Sequence, residues 1–375
     1  MKKILNGRCC SLRFFMNNPF SSFFPTETYL GVDIGTTTIK MVEVKAGKNA
    51  PRITNYGFLE SSGYLTRANQ ALQTSGLKIF EQDAVALLKA LVKALGTTTK
   101  DAIASLPPFD VFMTLVDFPA MEPKEVAKAL VYQAKQYVPM PLSEVALDWM
   151  KVADYIDEKG FAHQKILLIS VPQEQIKKYQ HMFNAAGLRL RALEIESLSI
   201  VRIFANDPTP TIIVDIGSRS TNTIFMEKGV LTWSAQSDIA ASSLTQALAT
   251  SLGINPMRAE ELKKERGILG TGPNYELSTI MMPFLDAIVN EVKKAEYTYR
   301  QQFATAAKIE RVVLAGGGAN LSGIEQYFEK EFGIPVVKAT PFSKFEYPDA
   351  VVPFIPELNA PMTVALGLGM KQFSK

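Results

Sequence analysis

Tyr29–Gly47 reads YLGVDIGTTTIKMVEVKAG. Leu30–Ile34 has the continuous apolar character of a buried strand with Asp33 at its end, and Ile39–Val44 returns as a second strand. Between them Gly35 permits a tight turn, Thr36, Thr37 and Thr38 supply hydroxyls, and Lys40 stands close behind. A strand, an aspartate, a glycine, a hydroxyl-rich turn and a returning strand make a phosphate-gripping hairpin. Backbone N–H groups and hydroxyls face the phosphates, and the carboxylate faces a hydrated Mg²⁺. The turn is not a P-loop, because no GxxxxGK[ST] is present and no helix follows it. An ordinary hairpin ending in Asp-x-Gly accounts for a single copy equally well.

The chain carries a second copy. Thr211–Asn222, TIIVDIGSRSTN, repeats the strand, the Asp-Ile-Gly and the hydroxyls, and Thr223–Glu227 runs on as a strand. Asp33 and Asp215 lie 182 positions apart, a distance that suggests two similar domains facing one ligand rather than a solenoid. The second turn offers Gly217, Ser218 and Ser220 to phosphate. A third cluster, Leu314–Gly323 (LAGGGANLSG), follows the strand Arg311–Leu314, and its Gly316, Gly317 and Gly318 let the backbone approach a flat ligand closely. Two such hairpins followed by a strand–AGGG turn point to nucleotide held in a cleft.

Composition narrows the classes. The 375 residues suit two domains, with 47% apolar and 21% charged residues, an ordinary globular mixture. Net charge is +3, from 40 basic and 37 acidic residues, which argues against a dominant nucleic-acid role. Cys9 and Cys10 are adjacent and outside the motifs, so neither a disulfide framework nor metal-ligand spacing is present and a reducing compartment fits. His163 and His181 are the only histidines and read as surface residues, leaving little for a Ser-His-Asp or His-metal mechanism. No apolar run reaches the roughly 18–20 residues of a spanning helix, and the basic N-terminus lacks the unbroken apolar core of a signal peptide. Three readings stand for Met1–Thr26: a disordered tail (the block 1–27), a membrane-surface contact through Phe14, Phe15, Phe20, Phe23 and Phe24, or an overlong start with initiation at Met16.

Periodicity supplies the remaining elements. Arg52–Leu59 reads as a strand, Phe80–Leu95 as a helix stopped by Gly96, and Asp101–Leu106 as a strand, completing a first part of domain I over 28–106. An inserted subdomain over 107–164 has a strand Phe109–Phe118, a helix Pro123–Val138, a strand Val145–Val152 and a polar hairpin turn over Lys151–Gln164. Lys165–Val171 (KILLISV) is expected to return to the main sheet. The helix Glu174–Ala186, the strand Arg189–Ile195 and the helix Ser197–Ala205 complete domain I over 165–207. After a hinge at Asn206–Pro210, domain II (208–358) is expected to hold helices Ser237–Leu252, Asn255–Arg266, Met281–Phe303 and Leu321–Phe332 and an edge strand Ile334–Val337. A last helix, Ala360–Lys371 within 359–375, is expected to pack on domain I.

The two Asp-Ile-Gly turns and the AGGG turn, in this order, resemble the actin, Hsp70 and sugar-kinase ATPase superfamily. A closer resemblance, over about Thr28–Lys375, is to the PilM family, the cytoplasmic actin-like proteins of type IV pilus assembly. Gln133–Trp149 (QAKQYVPMPLSEVALDW) and Phe109–Pro119 (FDVFMTLVDFP) single it out, and Leu314–Ile324 and Asn359–Lys371 agree. The resemblance implies an α/β fold, two RNase H-like actin-fold domains around a nucleotide cleft, with an inserted α+β subdomain in the first. It implies ATP with Mg²⁺ as cofactors, with Asp33 and Asp215 holding the metal through water and Gly316–Gly318 bordering adenosine.

In the superfamily an acidic or amide residue orients the attacking water or the hydrated Mg²⁺. Glu196 is the candidate, Glu194 the neighbouring one, and a helix-opening carboxylate favoured by the macrodipole is the plainer reading of Glu196. The segment Ala259–Lys263 is similar to the adenosine-edge helix, whose Glu (Glu260) takes ribose hydroxyls and whose Lys (Lys263) lies along the base; a solvated i,i+3 ion pair is the plainer reading here. The partners implied are the short cytoplasmic N-terminal tail of the inner-membrane protein PilN, the pilus motor ATPases, and the inner membrane through PilN, with self-association as a further option and no nucleic acid. Enzyme activity implied is at most a slow ATPase. A small-molecule kinase of the same superfold and an FtsA- or MreB-like filament former are the competing readings. A kinase needs a carboxylate base beside its acceptor hydroxyl, which no segment announces. The chain also stops at Lys375 without an amphipathic C-terminal membrane helix of the FtsA kind.

Overall fold

The computed structural model describes residues 27–60, 81–269, 275–304 and 306–373. The expectations for Met1–Thr26 and for Phe80 lie outside them. The first sheet begins with β1 (Thr28–Ile34), β2 (Thr38–Lys45) and β3 (Arg52–Glu60), an antiparallel meander. Helix α1 (Glu81–Leu95) then leads to β4 (Asp101–Leu106), which lies parallel to β1. Every residue of β4 is buried, as a central parallel strand covered on both faces requires.

The chain next builds a separate three-stranded sheet from β5 (Phe112–Pro119), β6 (Val145–Ile156) and β7 (Ala162–Pro172), in the order β5-β7-β6, with α2 (Pro123–Tyr137) between β5 and β6. Val126, Leu130 and Ala134 of α2 pack on Val116, Phe118, Ile166 and Leu168. The expectation that Lys165–Val171 rejoins the main sheet is therefore corrected, since this segment pairs with β5 and β6 instead. Its unbroken apolar run has a different cause. Ile166 and Leu168 face the α2 side, while Leu167, Ile169 and Val171 join the domain I core. A strand buried on both faces looks the same in sequence whichever sheet it belongs to. The hairpin turn is also shorter than expected, because β6 runs to Ile156.

Helix α3 (Gln173–Ala185) returns the chain to the main sheet at β8 (Arg189–Ile195), which lies parallel to β4 and completes the order β3-β2-β1-β4-β8. Helix α4 (Glu196–Ile203) follows directly; apart from Glu196 and Arg202 its residues are buried, as befits a helix wedged between two layers.

Domain II repeats the scheme. β9 (Thr211–Ile216), β10 (Thr221–Glu227) and β11 (Val230–Ser237) form the antiparallel meander, and β12 (Arg311–Ala315) and β13 (Val336–Lys338) add in parallel, giving β11-β10-β9-β12-β13. Strand β11 is absent from the sequence reading, which starts a helix at Ser237. Its residues are half apolar and half polar, and what makes it a strand is the two-residue turn before it, where Lys228 and Gly229 both have positive φ (53° and 72°) and so match the twist of a tight hairpin. Helices α5 (Ala241–Leu252), α6 (Pro256–Arg266), α7 (Tyr275–Gln302) and α8 (Ile324–Phe332) surround this sheet, and α9 (Ile355–Leu358) and α10 (Thr363–Met370) close the described chain. Helix α10 lies directly on domain I: a Cβ at Gly31 of β1 would stand 2.2 Å from the Ala365 carbonyl oxygen, so only glycine lets strand and helix approach this closely. No helix among the described residues is long and apolar enough to cross a membrane.

Candidate functional site

The turns β1–β2 and β9–β10 have the same construction. The Gly35 N–H donates to the Thr38 carbonyl at 3.0 Å, and the Gly217 N–H donates to the Ser220 carbonyl at 2.9 Å. Both turns open into one cavity of about 870 Å³. Asp33, Gly35, Thr36, Thr37, Thr38 and Lys40 line it from domain I; Asp215, Gly217, Ser218, Ser220, Glu260, Lys263, Gly316, Gly317 and Gly318 line it from domain II. Glu196, at the first turn of α4, also lines it. The fold thus brings together every candidate residue except Glu194.

The two aspartates differ in environment. Asp33 is engaged on both oxygens: the Ser105 hydroxyl donates to Oδ1 at 2.9 Å, and Lys40 Nζ donates to Oδ2 at 3.0 Å. Burial opposes the charge on Lys40, but Asp33, with Asp215 and Glu196 behind it, more than offsets this and holds the ammonium above the ordinary lysine range. Among the described residues no hydrogen bond or ion pair reaches the Asp215 carboxylate. Burial pushes its pKa up to about 6, with Lys40 opposing the rise and Asp33 adding to it.

The parallel register of β12 on β9 sets Ala315 beside Asp215, which delivers the three glycines to the same corner. Gly316 has φ +78°, and a Cβ there would fall 2.5 Å from Asp215 Oδ1. A Cβ on Gly317 would meet no protein atom within 4 Å, so it would project into open space beside the cavity. That bare backbone is the kind of surface on which a flat ligand can lie.

Glu260 and Lys263 share a face of α6 and point inward. Lys263 Nζ lies 2.6 Å from Glu260 Oε2 and donates to Thr245 Oγ1 at 2.8 Å and to the Ala241 carbonyl at 3.2 Å. Burial, only partly offset by Glu260, pulls the Lys263 ammonium below its ordinary range. The pair is therefore anchored inside the site, and the plainer reading of a solvated surface pair does not hold.

Glu194 is corrected. It is buried away from the cavity lining, with one carboxylate oxygen on Arg202 and the other 3.1 Å from Lys371 Nζ. Burial opposes its charge, yet Arg202 and Lys371 together hold the carboxyl below the usual range. It joins α4 to the segment after α10 and is not positioned to act on a ligand.

The sequence reading missed Asn222. This residue lines the cavity, is 3% exposed, and stands directly opposite Asp215 in the β9–β10 register. Its Nδ2 donates to Ser197 Oγ at 3.0 Å, while its buried Oδ1 has no hydrogen-bond partner among the described residues. The available signal was the hairpin repeat: Asn222 follows Asp215 by the spacing at which Lys40 follows Asp33. Asp215 and Asn222 stand opposite each other in the register, with the Lys40 charge acting on Asp215, and their oxygens are acceptors of the kind that suits the water shell of a divalent cation.

Comparison with known proteins bears on this geometry. The family model described as type IV pilus assembly protein PilM matches residues 31–373. A solved structure of a PilM–PilN type IV pilus biogenesis complex is similar with a TM-score of 0.77 at 20% identity, covering 92% of this chain and 98% of that one. MreB 5 of Spiroplasma citri, solved with AMPPNP, is similar with a TM-score of 0.52 at 12% identity, over 93% of this chain and 96% of that one. The cell division protein FtsA of Enterococcus hirae is 21% identical over 350 residues, 83% of this chain and 78% of FtsA. The shared architecture is the two-domain actin fold.

Proposed function

The chain belongs to the PilM family of type IV pilus assembly proteins, and we propose that it works there as an ATP-binding scaffold whose nucleotide state sets its grip on a partner peptide. One observation carries the reading: two hairpins of identical construction face each other across a single cavity, with a bare glycine turn beside the second aspartate. Thr36, Thr37, Thr38 and Lys40 would bind phosphate from domain I, and Gly217, Ser218 and Ser220 from domain II. Glu260 and Lys263 would reach ribose and base along Gly316–Gly318. A bound Mg²⁺ would supply positive charge to the phosphates, and Asp215 would hold its water shell. Asp33 would contribute less directly, since Lys40 and Ser105 already occupy both its oxygens. Glu196 would orient a water for slow hydrolysis.

The partner we propose is the cytoplasmic N-terminal tail of PilN, bound at the inserted subdomain, so that the chain stands at the inner membrane and couples PilN to the pilus motor. Support comes from the exposed apolar side chains Val131, Tyr132, Tyr137 and Met140 at and just beyond the C-terminal half of α2. Leu142, two residues beyond Met140, packs against the subdomain core. Leu115, Val152 and Ala153 of the subdomain touch the domain II core, which offers a route by which cleft closure alters the subdomain.

The test is calorimetry with Mg-ATP on wild type and on Asp215→Ala, which removes an unpartnered carboxylate and leaves the packing around Asp33 alone. Wild type should bind and the variant should bind at least tenfold more weakly. Equal affinity in both would overturn the site assignment. A wild type without affinity for nucleotide would overturn the function.

A further inference from the structure

The two hairpins place a side chain opposite each aspartate. In the first, Asp33 faces Lys40 across the β1–β2 register; in the second, Asp215 faces Asn222 across β9–β10. Directly opposed residues of an antiparallel pair project from the same face with Cβ atoms about 4.5–5.5 Å apart. The repeated fold thus creates two equivalent positions, and the chain fills them differently. Lys40 brings a charge and neutralises Asp33. Asn222 brings no charge and does not engage Asp215. Its amide nitrogen is drawn to Ser197, the residue after Glu196, and its oxygen is left buried and without a partner at the cavity wall.

A buried carboxamide oxygen is costly to leave without a donor. The side chain opposite it in the register, Asp215, makes no hydrogen bond to it. A donor can reach it from the cavity that Asn222 lines. Phosphate oxygens are acceptors and repel this corner, whereas water molecules on a divalent cation are strong donors.

We propose that Asn222 is a cation-shell residue: its Oδ1 accepts a hydrogen bond from a water of the Mg²⁺ that accompanies the nucleotide, on the domain II side with Asp215. The proposal rests on the nucleotide reading above and adds an asymmetry to it. The domain I hairpin meets phosphate with the ammonium of Lys40, and the domain II hairpin meets the hydrated metal with Asp215 and Asn222. Ser197 fixes the amide orientation and ties it to the helix that carries Glu196.

The experiment compares the full chain with Asn222→Leu and Asn222→Asp. ATP affinity is measured by calorimetry with excess Mg²⁺ and with EDTA, and the ratio of the two affinities is the readout. N222L should lower that ratio about tenfold. N222D, which keeps the acceptor oxygen and replaces the NH₂ by a second one, should preserve or raise it. Circular dichroism and melting temperature establish that each variant is folded, and if N222L melts early, N222D carries the test alone. An N222L ratio equal to that of wild type overturns the proposal. So does an N222D variant that loses ATP affinity equally with and without Mg²⁺, because this would mean that the amide NH₂ faces phosphate. In both cases wild type still binds nucleotide and the functional reading survives. A wild type that binds no ATP in either condition overturns both.

Discussion

Replacing Glu194 by Gln probes the correction made to the sequence reading. The carboxylate is 1% exposed and faces two cations whose side chains are only 9% and 5% exposed, Arg202 and Lys371. Arg202 is further held by the Gly367 carbonyl at 2.9 Å and cannot swing out to water without breaking that bond as well. Glutamine keeps the shape, removes the charge, and leaves two buried cations near one another. Breaking a buried ion pair by removing one partner costs about 3–5 kcal/mol. At roughly 2–4 °C per kcal/mol for a domain of this size, the melting temperature should fall by about 6–20 °C.

The pH dependence has a definite sign. The folded pKa of Glu194 is depressed, so its contribution is fully present above the unfolded carboxylate value of about 4.3 and is lost as pH falls through the lower folded value. The gap between wild type and E194Q should be constant from neutral pH to about pH 5 and close only in more acid solution. Thermal unfolding followed by circular dichroism across pH 4–8 measures this. At a temperature where both proteins are folded, ATP affinity should agree within about twofold. A variant that melts within 2 °C of wild type, or a gap already gone at pH 6, would refute the buried-pair argument. A large loss of ATP affinity in the folded variant would return Glu194 to the site.

Further outcomes follow from the same geometry. Gly317→Ala adds a Cβ that meets no protein atom, so the melting temperature should stay within 2 °C of wild type while ATP affinity, read by calorimetry, falls about tenfold; unchanged affinity would show that the ligand does not lie on this turn. Glu196→Gln should slow ATP turnover by at least tenfold with little effect on ATP affinity, and wild-type turnover on the order of ~10 s⁻¹ without a partner would contradict the slow-ATPase reading. Met140→Asp should weaken capture of a PilN N-terminal tail peptide at least tenfold while leaving ATP affinity untouched, and full retention would move the peptide groove elsewhere. In each case the fold is checked by melting temperature before the binding result is read.

Much of this protein was legible in its sequence. Asp33-Ile34-Gly35 and Asp215-Ile216-Gly217 announce their hairpins because a tight turn, hydroxyls and a strand-end carboxylate are local properties, carried by consecutive residues. The same holds for the glycine turn after β12, where the register with β9 then places it against Asp215. Other features depend on which distant segments meet. KILLISV is plainly a doubly buried strand, but whether it joins the main sheet or the small one depends on its neighbours β5 and β6. Strand β11, half apolar and half polar, owes its place to the Lys228–Gly229 turn and to pairing with β10. Glu194 and Glu196 are two residues apart, yet one is claimed by Lys371 arriving from the far end of the chain while the other opens a helix at the cavity. Asn222 had a signal in its spacing from Asp215, but its significance lies in an oxygen left without a donor. That is a property of the packed interior and not of the residue: a carboxamide is satisfied or orphaned only by the groups that folding brings around it.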